Sequence, residues 1–108
     1  MLFDELCTAW QTCFSEAWIA YREGSLPIGA CITDKAGNVL AKGHNRMANT
    51  TLEMPYLHKS KLAHAEMNAM LHLASRMRNE AEFAKLEVRD LILWTTTESF
   101  CYALVHLS

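Results

Sequence analysis

A short predicted β-hairpin lies between two predicted amphipathic helices in this sequence, and that order limits the possible folds more than any other feature. The hairpin is predicted as a strand at Ile28–Thr33, a turn at 34–38 in which Gly37 is free to take positive φ, and a returning strand at Val39–Gly43. The first stripe, capped by Asp4, has apolar residues three or four positions apart: Phe3, Cys7, Trp10, Phe14, Ala17 and Tyr21. The second stripe comprises Met67, Met70, Leu71, Ala74 and Met77, and an apolar strand at Leu86–Trp94 follows it. The order helix, hairpin, helix, strand predicts an α/β fold with helices layered on a sheet.

Composition and charge narrow the class of protein. The 108 residues are enough for one domain, taken as 1–108, and the net charge of −2 gives no general attraction to polyanions. No apolar run reaches the roughly 18–20 residues of a membrane span, and the first residues lack the basic segment of a signal peptide. A cytoplasmic protein with reduced thiols is therefore expected, with Cys7, Cys13 and Cys31 buried as small apolar residues.

The residues with the clearest chemical meaning are His64-Ala65-Glu66, at the start of the second helix. A histidine there can turn its imidazole toward a metal, and the carboxylate two residues later can approach a metal-bound water. Zinc lowers the pKa of its water to about 7, and a carboxylate within reach can move that proton. The same residues also suit a plain helix start, where a first-turn glutamate is favoured by the helix dipole.

Five short motifs, one of which contains His64 and Glu66, follow one another along the chain. They are Pro27-Ile28-Gly29-Ala30, Asp34 with Gly37, Gly43-His44-Asn45, His64-Ala65-Glu66-Met67-Asn68-Ala69 and Thr95-Thr96-Thr97-Glu98. Together they resemble the cytidine/deoxycytidylate deaminase superfamily, in particular the branch of guanine, cytosine and tRNA-adenosine deaminases. The resemblance implies a three-layer α/β sandwich and zinc-dependent hydrolytic deamination of a nucleobase, nucleoside or tRNA base. It also implies a homodimer.

The resemblance assigns roles to four residues. His64 would be a zinc ligand, and Glu66 would be the general acid/base that passes a proton from water to the ring nitrogen and the departing ammonia. The backbone of Ala65 would contact the substrate, and Asn45 would hydrogen-bond the base or its sugar. An asparagine at a strand end is equally suited to forming a turn, so both interpretations of Asn45 remain open.

The sequence departs from the family after Glu98. Where the family has Pro-Cys-x-x-Cys, an ungapped register places Phe100 and Ala103 at the two cysteine positions. A two-residue deletion after Ser99 would instead make Cys101 the second cysteine, and Cys101 is therefore the second predicted metal ligand. Neither register supplies two thiolates, whereas catalytic zinc normally has three protein ligands.

The family fold also continues through further strands and helices, whereas about ten residues follow Glu98 here. The prediction is therefore a deaminase-type domain that is incomplete at its C-terminus, with an apolar sheet edge. Two functions stay open, a zinc-dependent deaminase and a catalytically inactive fragment or partner-binding subunit. The acidic charge balance gives little support to a nucleic-acid-binding module without chemistry.

Overall fold

The computed structural model describes residues 3–48, 53–57 and 64–96. The regular elements are α1 (Thr8–Arg22), β1 (Gly29–Asp34), β2 (Val39–His44), α2 (Ala65–Asn79) and β3 (Leu91–Thr95), with 3-10 turns at Phe3–Glu5, Ala81–Phe83 and Val88–Asp90. This order confirms the predicted succession of helix, hairpin, helix and strand. Neither described helix is long and apolar enough to cross a membrane.

The three strands form one antiparallel sheet with the order β2-β1-β3. The β1–β2 turn forms as predicted: Gly37 has φ +92°, and the Asp34 carboxylate accepts the backbone N–H groups of Ala36 and Asn38 at 3.0 and 2.9 Å. Hydrogen bonds from the Asn38 side chain and then its backbone hold the pKa of Asp34 below its usual value.

The two helices cover opposite faces of the sheet, which gives the expected three layers. On one face, Ala30 and Ile32 of β1 pack with Ala65, Ala69 and Leu73 of α2. On the other face, Cys31 packs with Ala9 and Cys13 of α1, and the two sulfur atoms lie 3.7 Å apart. Successive β1 side chains therefore alternate between the α2 face and the α1 face, as the two-residue period of a strand requires.

Two glycines let the helices approach the sheet at backbone distance. A Cβ atom on Gly29 would collide with the α1 backbone at Cys13 and lie 2.7 Å from the nitrogen of Ala17. A Cβ atom on Gly43 would lie 2.7 Å from the backbone carbon of Asn68 and 2.9 Å from the carbonyl oxygen of Ala65. Any larger residue at either position would move a helix away from the sheet.

The start of the first helix differs from the prediction. The N-cap is Cys7, whose extended backbone (ψ 161°) separates α1 from the preceding 3-10 turn, so Asp4 is not the cap. Cys7 is exposed, contrary to its predicted burial, because it lies before the helical stripe that faces the sheet. Cys13 and Cys31 are buried as predicted.

The last strand is shorter and less buried than predicted. Residues 88–90 form a 3-10 turn, and the strand occupies only Leu91–Thr95. Ile92 and Leu93 are 40% and 47% exposed. Among the described residues β3 pairs with β1 along one edge only, so an unbroken apolar run does not lead to burial here.

Side chains hydrogen-bond to backbone groups on the outer edge of β2. Arg76 of α2 donates to the carbonyl oxygen of Leu40 at 2.7 Å, and the backbone N–H of Lys42 donates to Nδ1 of His72 at 3.1 Å. The hydroxyl of Tyr56 donates to the carbonyl oxygen of Lys42 at 3.3 Å. These bonds occupy backbone groups that would otherwise invite pairing with another strand.

The burial of His72 against β2 predicts that the stability of the fold depends on pH. Burial holds the pKa of His72 below its ordinary value of 6.5, and the positive charges of Arg76 and Lys42 lower it further. The backbone hydrogen bond with Lys42 and the charge of Glu16 act in the opposite direction but do not cancel the effect. The unfolded chain then binds more protons than the folded chain, so stability should fall as the pH drops below 6.5 toward the folded-state pKa. We expect a midpoint below 6.5 when the His72 ring is titrated by NMR, and a flatter pH dependence of unfolding in His72→Gln. A midpoint at or above 6.5 would contradict this account.

A buried charged cluster fixes the end of β2 to α1. Nδ1 and Nε2 of His44 lie 2.9 Å from carboxylate oxygens of Glu16 and Glu23, respectively. His44 and Glu16 are 3% and 5% exposed, and the ammonium of Lys42 lies 4.0 Å from the second Glu16 oxygen. The imidazole of His44 therefore joins Glu16 of α1 and Glu23, which follows α1, to the end of β2.

Removing His44 should therefore leave Glu16 as a buried carboxylate without its main donor. We expect His44→Phe to lower the free energy of unfolding by about 3 kcal/mol, measured by urea denaturation. In the double variant His44→Phe/Glu16→Leu the buried charge is gone, so the loss should be smaller than the sum of the two single losses. Additive losses would show that the two side chains do not stabilise the fold as a pair.

Candidate active site

The candidate site lies at the sheet end where α2 begins. Because β1 runs antiparallel to both neighbours, the start of β1 meets the ends of β2 and β3 there. The N–H of Asn45 donates to the carbonyl oxygen of Ile28 at 3.0 Å, and Thr95 is paired with Ala30. Residues that follow β2, end β3 and open α2 are thereby brought to one end of one face.

His64 and Ala65 form the first positions of α2. His64 is the N-cap residue, with extended backbone (φ −76°, ψ 156°), and its side chain makes no capping hydrogen bond. The His64 side chain is exposed, whereas Ala65 is fully buried against the sheet. The first helical hydrogen bond joins the N–H of Asn68 to the carbonyl oxygen of His64 at 3.0 Å. The N–H groups before Asn68 therefore have no acceptor within the helix.

Glu66 is half-buried in the first turn of α2 and points toward β3. Its Oε1 accepts a hydrogen bond from the Thr95 hydroxyl at 3.2 Å. A first-turn glutamate that interacted only with the helix dipole could keep its carboxylate in solvent. This carboxylate is tied to the sheet instead, at the end where the other candidate residues lie.

Asn45 is buried and incompletely bonded. It is 1% exposed, and its Oδ1 accepts the N–H of Met47 at 3.1 Å, which is the turn geometry that the sequence also allowed. Its Nδ2 has no hydrogen-bond partner among the described residues. A buried amide nitrogen without an acceptor is costly, and such groups mark places where a ligand or water completes the bonding.

Asn68 is a further polar residue of this region, to which the sequence analysis gave no role. It is fully buried, donates to the carbonyl oxygens of His44 and Leu57 at 3.0 and 3.2 Å, and accepts the N–H of Leu57 at 2.8 Å. It therefore joins the end of β2 and residue 57 to α2. The predicted apolar stripe gave no signal for it, because that stripe lies on another face of α2. Met67 and Met70 of the stripe are 37% and 46% exposed, whereas the residues of α2 that are buried are Ala65, Asn68, Ala69 and Leu73.

Arg46 supports the same segment. It is 4% exposed, its guanidinium lies 4.4 Å from the ring centroid of Tyr56, and it donates to Glu53 at 3.0 Å. These contacts fix the chain immediately after Asn45.

The predicted residues are thus only partly brought together. His64, Ala65 and Glu66 open one helix, and Asn45 follows the strand that packs under it. Cys101, the second predicted metal ligand, lies outside the described residues. Within residues 3–48, 53–57 and 64–96, no three histidine, cysteine, aspartate or glutamate side chains are grouped so that they could hold a metal ion.

Two comparisons relate this chain to known proteins. The family model of the cytidine and deoxycytidylate deaminase zinc-binding region matches residues 4–102. A solved structure from studies of A-to-I editing by tRNA:A34 deaminases at the wobble position of transfer RNA superimposes with a TM-score of 0.56 at 20% sequence identity. The match covers 82% of this chain and 53% of that one, so this chain spans about half the length of its match.

The matched family region extends over nearly the whole sequence and includes His64, Glu66 and Asn45. The chain belongs to the cytidine and deoxycytidylate deaminase family.

Proposed function

We propose that this chain carries the acid–base and substrate-binding groups of a hydrolytic deaminase. The substrate would be an amino-substituted nucleobase, presented as a free base, a nucleoside or an adenosine in tRNA. The observation that carries the proposal is the Glu66 carboxylate, held by Thr95 at the same end of the sheet as the unpaired amide of Asn45. Membership of the deaminase family supports the reaction type.

Each residue has a step that suits its chemistry. Hydrolytic deamination replaces an amino group on a ring carbon by oxygen from water, so a group must take a proton from water and return one to the leaving amine. A carboxylate can do both when it lies within hydrogen-bond reach, and we assign this step to Glu66. The Nδ2 of Asn45 would donate to an acceptor on the base or sugar. The N–H groups at the start of α2 that have no acceptor within the helix, including that of Ala65, would face an oxygen or nitrogen of the substrate.

His64 and Cys101 are the residues that would hold the family's zinc. The exposed His64 imidazole is not used for capping, which suits a ligand. The described residues by themselves do not complete a catalytic site, which needs three protein ligands. The remaining donors would have to come from outside the described ranges or from another chain. When bound, zinc would supply an activated water.

Two observations bear on the substrate. The structural match is to a tRNA:A34 deaminase, which makes a tRNA adenosine one candidate. The net charge of −2 favours a small substrate unless a local basic surface or a partner contributes positive charge. Dimerisation and a cytoplasmic location remain predictions from the sequence.

A second candidate function is a catalytically inactive deaminase-fold protein that binds a partner. The donor count at the described residues favours it, because no three potential ligands are grouped there to hold a metal ion. The two candidates differ in whether the chain retains zinc and releases ammonia.

The enzyme proposal predicts that Glu66 is essential. The zinc-supplemented chain should release ammonia from at least one of cytosine, guanine, cytidine, adenosine or a tRNA anticodon stem-loop with a wobble adenosine. Glu66→Gln should reduce this rate by at least about 100-fold, because it removes the acid–base group while keeping its shape. Metal content, measured on the wild type and on His64→Ala, shows whether zinc is bound through His64. A folded chain that releases no ammonia from any of these substrates would favour the inactive alternative.

The two interpretations of Asn45 predict different binding. Aspartate supports the same turn through its oxygen but lacks the amide donor. In a Glu66→Gln background, which prevents turnover, Asn45→Asp should weaken the binding of the identified base or nucleoside by about tenfold or more, measured by calorimetry. Circular dichroism checks that the variant folds. Unchanged affinity would show that Asn45 serves only the turn.

A further inference from the structure

The Thr95 hydroxyl lies between the end of β3 and the first turn of α2. It has no part in the proton transfers assigned to Glu66. It donates to Oε1 of Glu66 at 3.2 Å. Two backbone carbonyl oxygens, of Gly29 and Thr96, also lie within its reach at 3.4 and 3.3 Å. One proton therefore has three acceptors, of which one is the carboxylate.

Strand geometry fixes this hydroxyl on the side of the sheet that α2 covers. Thr95 is paired with Ala30, whose side chain packs under Ala65 of α2. Thr96 points the other way, is buried, and bonds through its hydroxyl to the N–H of Gly29 at 3.0 Å. The Thr96 hydroxyl also donates to the carbonyl oxygen of Gly29 at 3.3 Å, so the two threonines share that acceptor. Among the described residues, only the Thr95 hydroxyl contacts Glu66.

We propose that Thr95 is a positioning residue for Glu66, an inference that rests on the proposed function of Glu66. Its hydroxyl holds the half-buried carboxylate against the end of the sheet and limits the rotamers that a long glutamate side chain would otherwise sample. The two carbonyl oxygens give the hydroxyl another acceptor when the carboxylate turns to the substrate. Release of Glu66 then leaves no unbonded hydroxyl behind, so the restraint does not oppose the reaction.

The contact itself can be tested without turnover. In the ¹³C-labelled full chain, the side-chain carboxyl signal of Glu66 is identified by its loss in Glu66→Gln. Thr95→Val, which keeps the shape and removes the hydroxyl, should move that signal, whereas Thr95→Ser should leave it close to its wild-type position. Thr96→Val is the matched control: it removes a neighbouring buried hydroxyl and should lower the melting temperature without moving the signal. An unmoved signal in Thr95→Val, or equal shifts in all three variants, would overturn the proposal.

The catalytic consequence is tested on the substrate found in the ammonia assay. Thr95→Val should lower kcat about tenfold with little change in KM, because it disorders the acid–base group and leaves substrate binding intact. Thr95→Ser should restore most of kcat. A wild type with activity and a Thr95→Val variant with equal kcat would overturn the positioning role while the proposed function stands. A folded wild type without any activity would overturn the proposed function, and the catalytic role of Thr95 with it, whatever the carboxyl signal shows.

Discussion

The close approach of both helices to the central sheet is the constraint on which the rest of this structure depends. Gly29 and Gly43 face opposite helices, and at each of them a Cβ atom would meet backbone atoms of the helix that covers it. A helix held at this distance has a fixed height above the strands. The first turn of α2 therefore begins directly over the sheet end, where a side chain as short as that of Thr95 can reach Glu66.

Because side chains alternate along a strand, neighbouring residues at that end of the sheet face different helices and have different hydrogen-bond partners. His44 faces α1 and is bonded on both ring nitrogens, whereas Asn45, next in the chain, has an amide nitrogen without a partner among the described residues. Thr96 is bonded to Gly29, whereas the Thr95 hydroxyl, on the α2 side, reaches the carboxylate of Glu66. The contact with Glu66 and the unpaired amide nitrogen of Asn45 therefore both belong to the end of the sheet that α2 covers.

The order of the elements could be predicted from local pattern, because helical periodicity and the hairpin turn are short-range features. The buried face of α2 could not: Met67 and Met70 of the predicted stripe are exposed, and Ala69 and Leu73 are buried instead. Burial depended on neighbours that no local pattern contains: Ile92 and Leu93 are exposed because β3 has one partner among the described strands. In the candidate site, His64 and Glu66 could be predicted together because they lie in one motif. The contact of Thr95 with Glu66 joins residues 29 positions apart, and it follows only from the pairing of β3 with β1.

Among the described residues, the contacts that place Asn45, Glu66 and Thr95 are made by the sheet, by α2 and by Asn68. His64 contributes its backbone carbonyl oxygen, which accepts the N–H of Asn68, and not its imidazole. In small zinc domains that fold around their metal, loss of a ligand removes the fold as well. Here the described core is built by apolar packing on both faces of the sheet. We therefore expect the positions of Asn45, Glu66 and Thr95 to depend on this packing rather than on zinc, so that loss of a metal ligand would leave the fold intact.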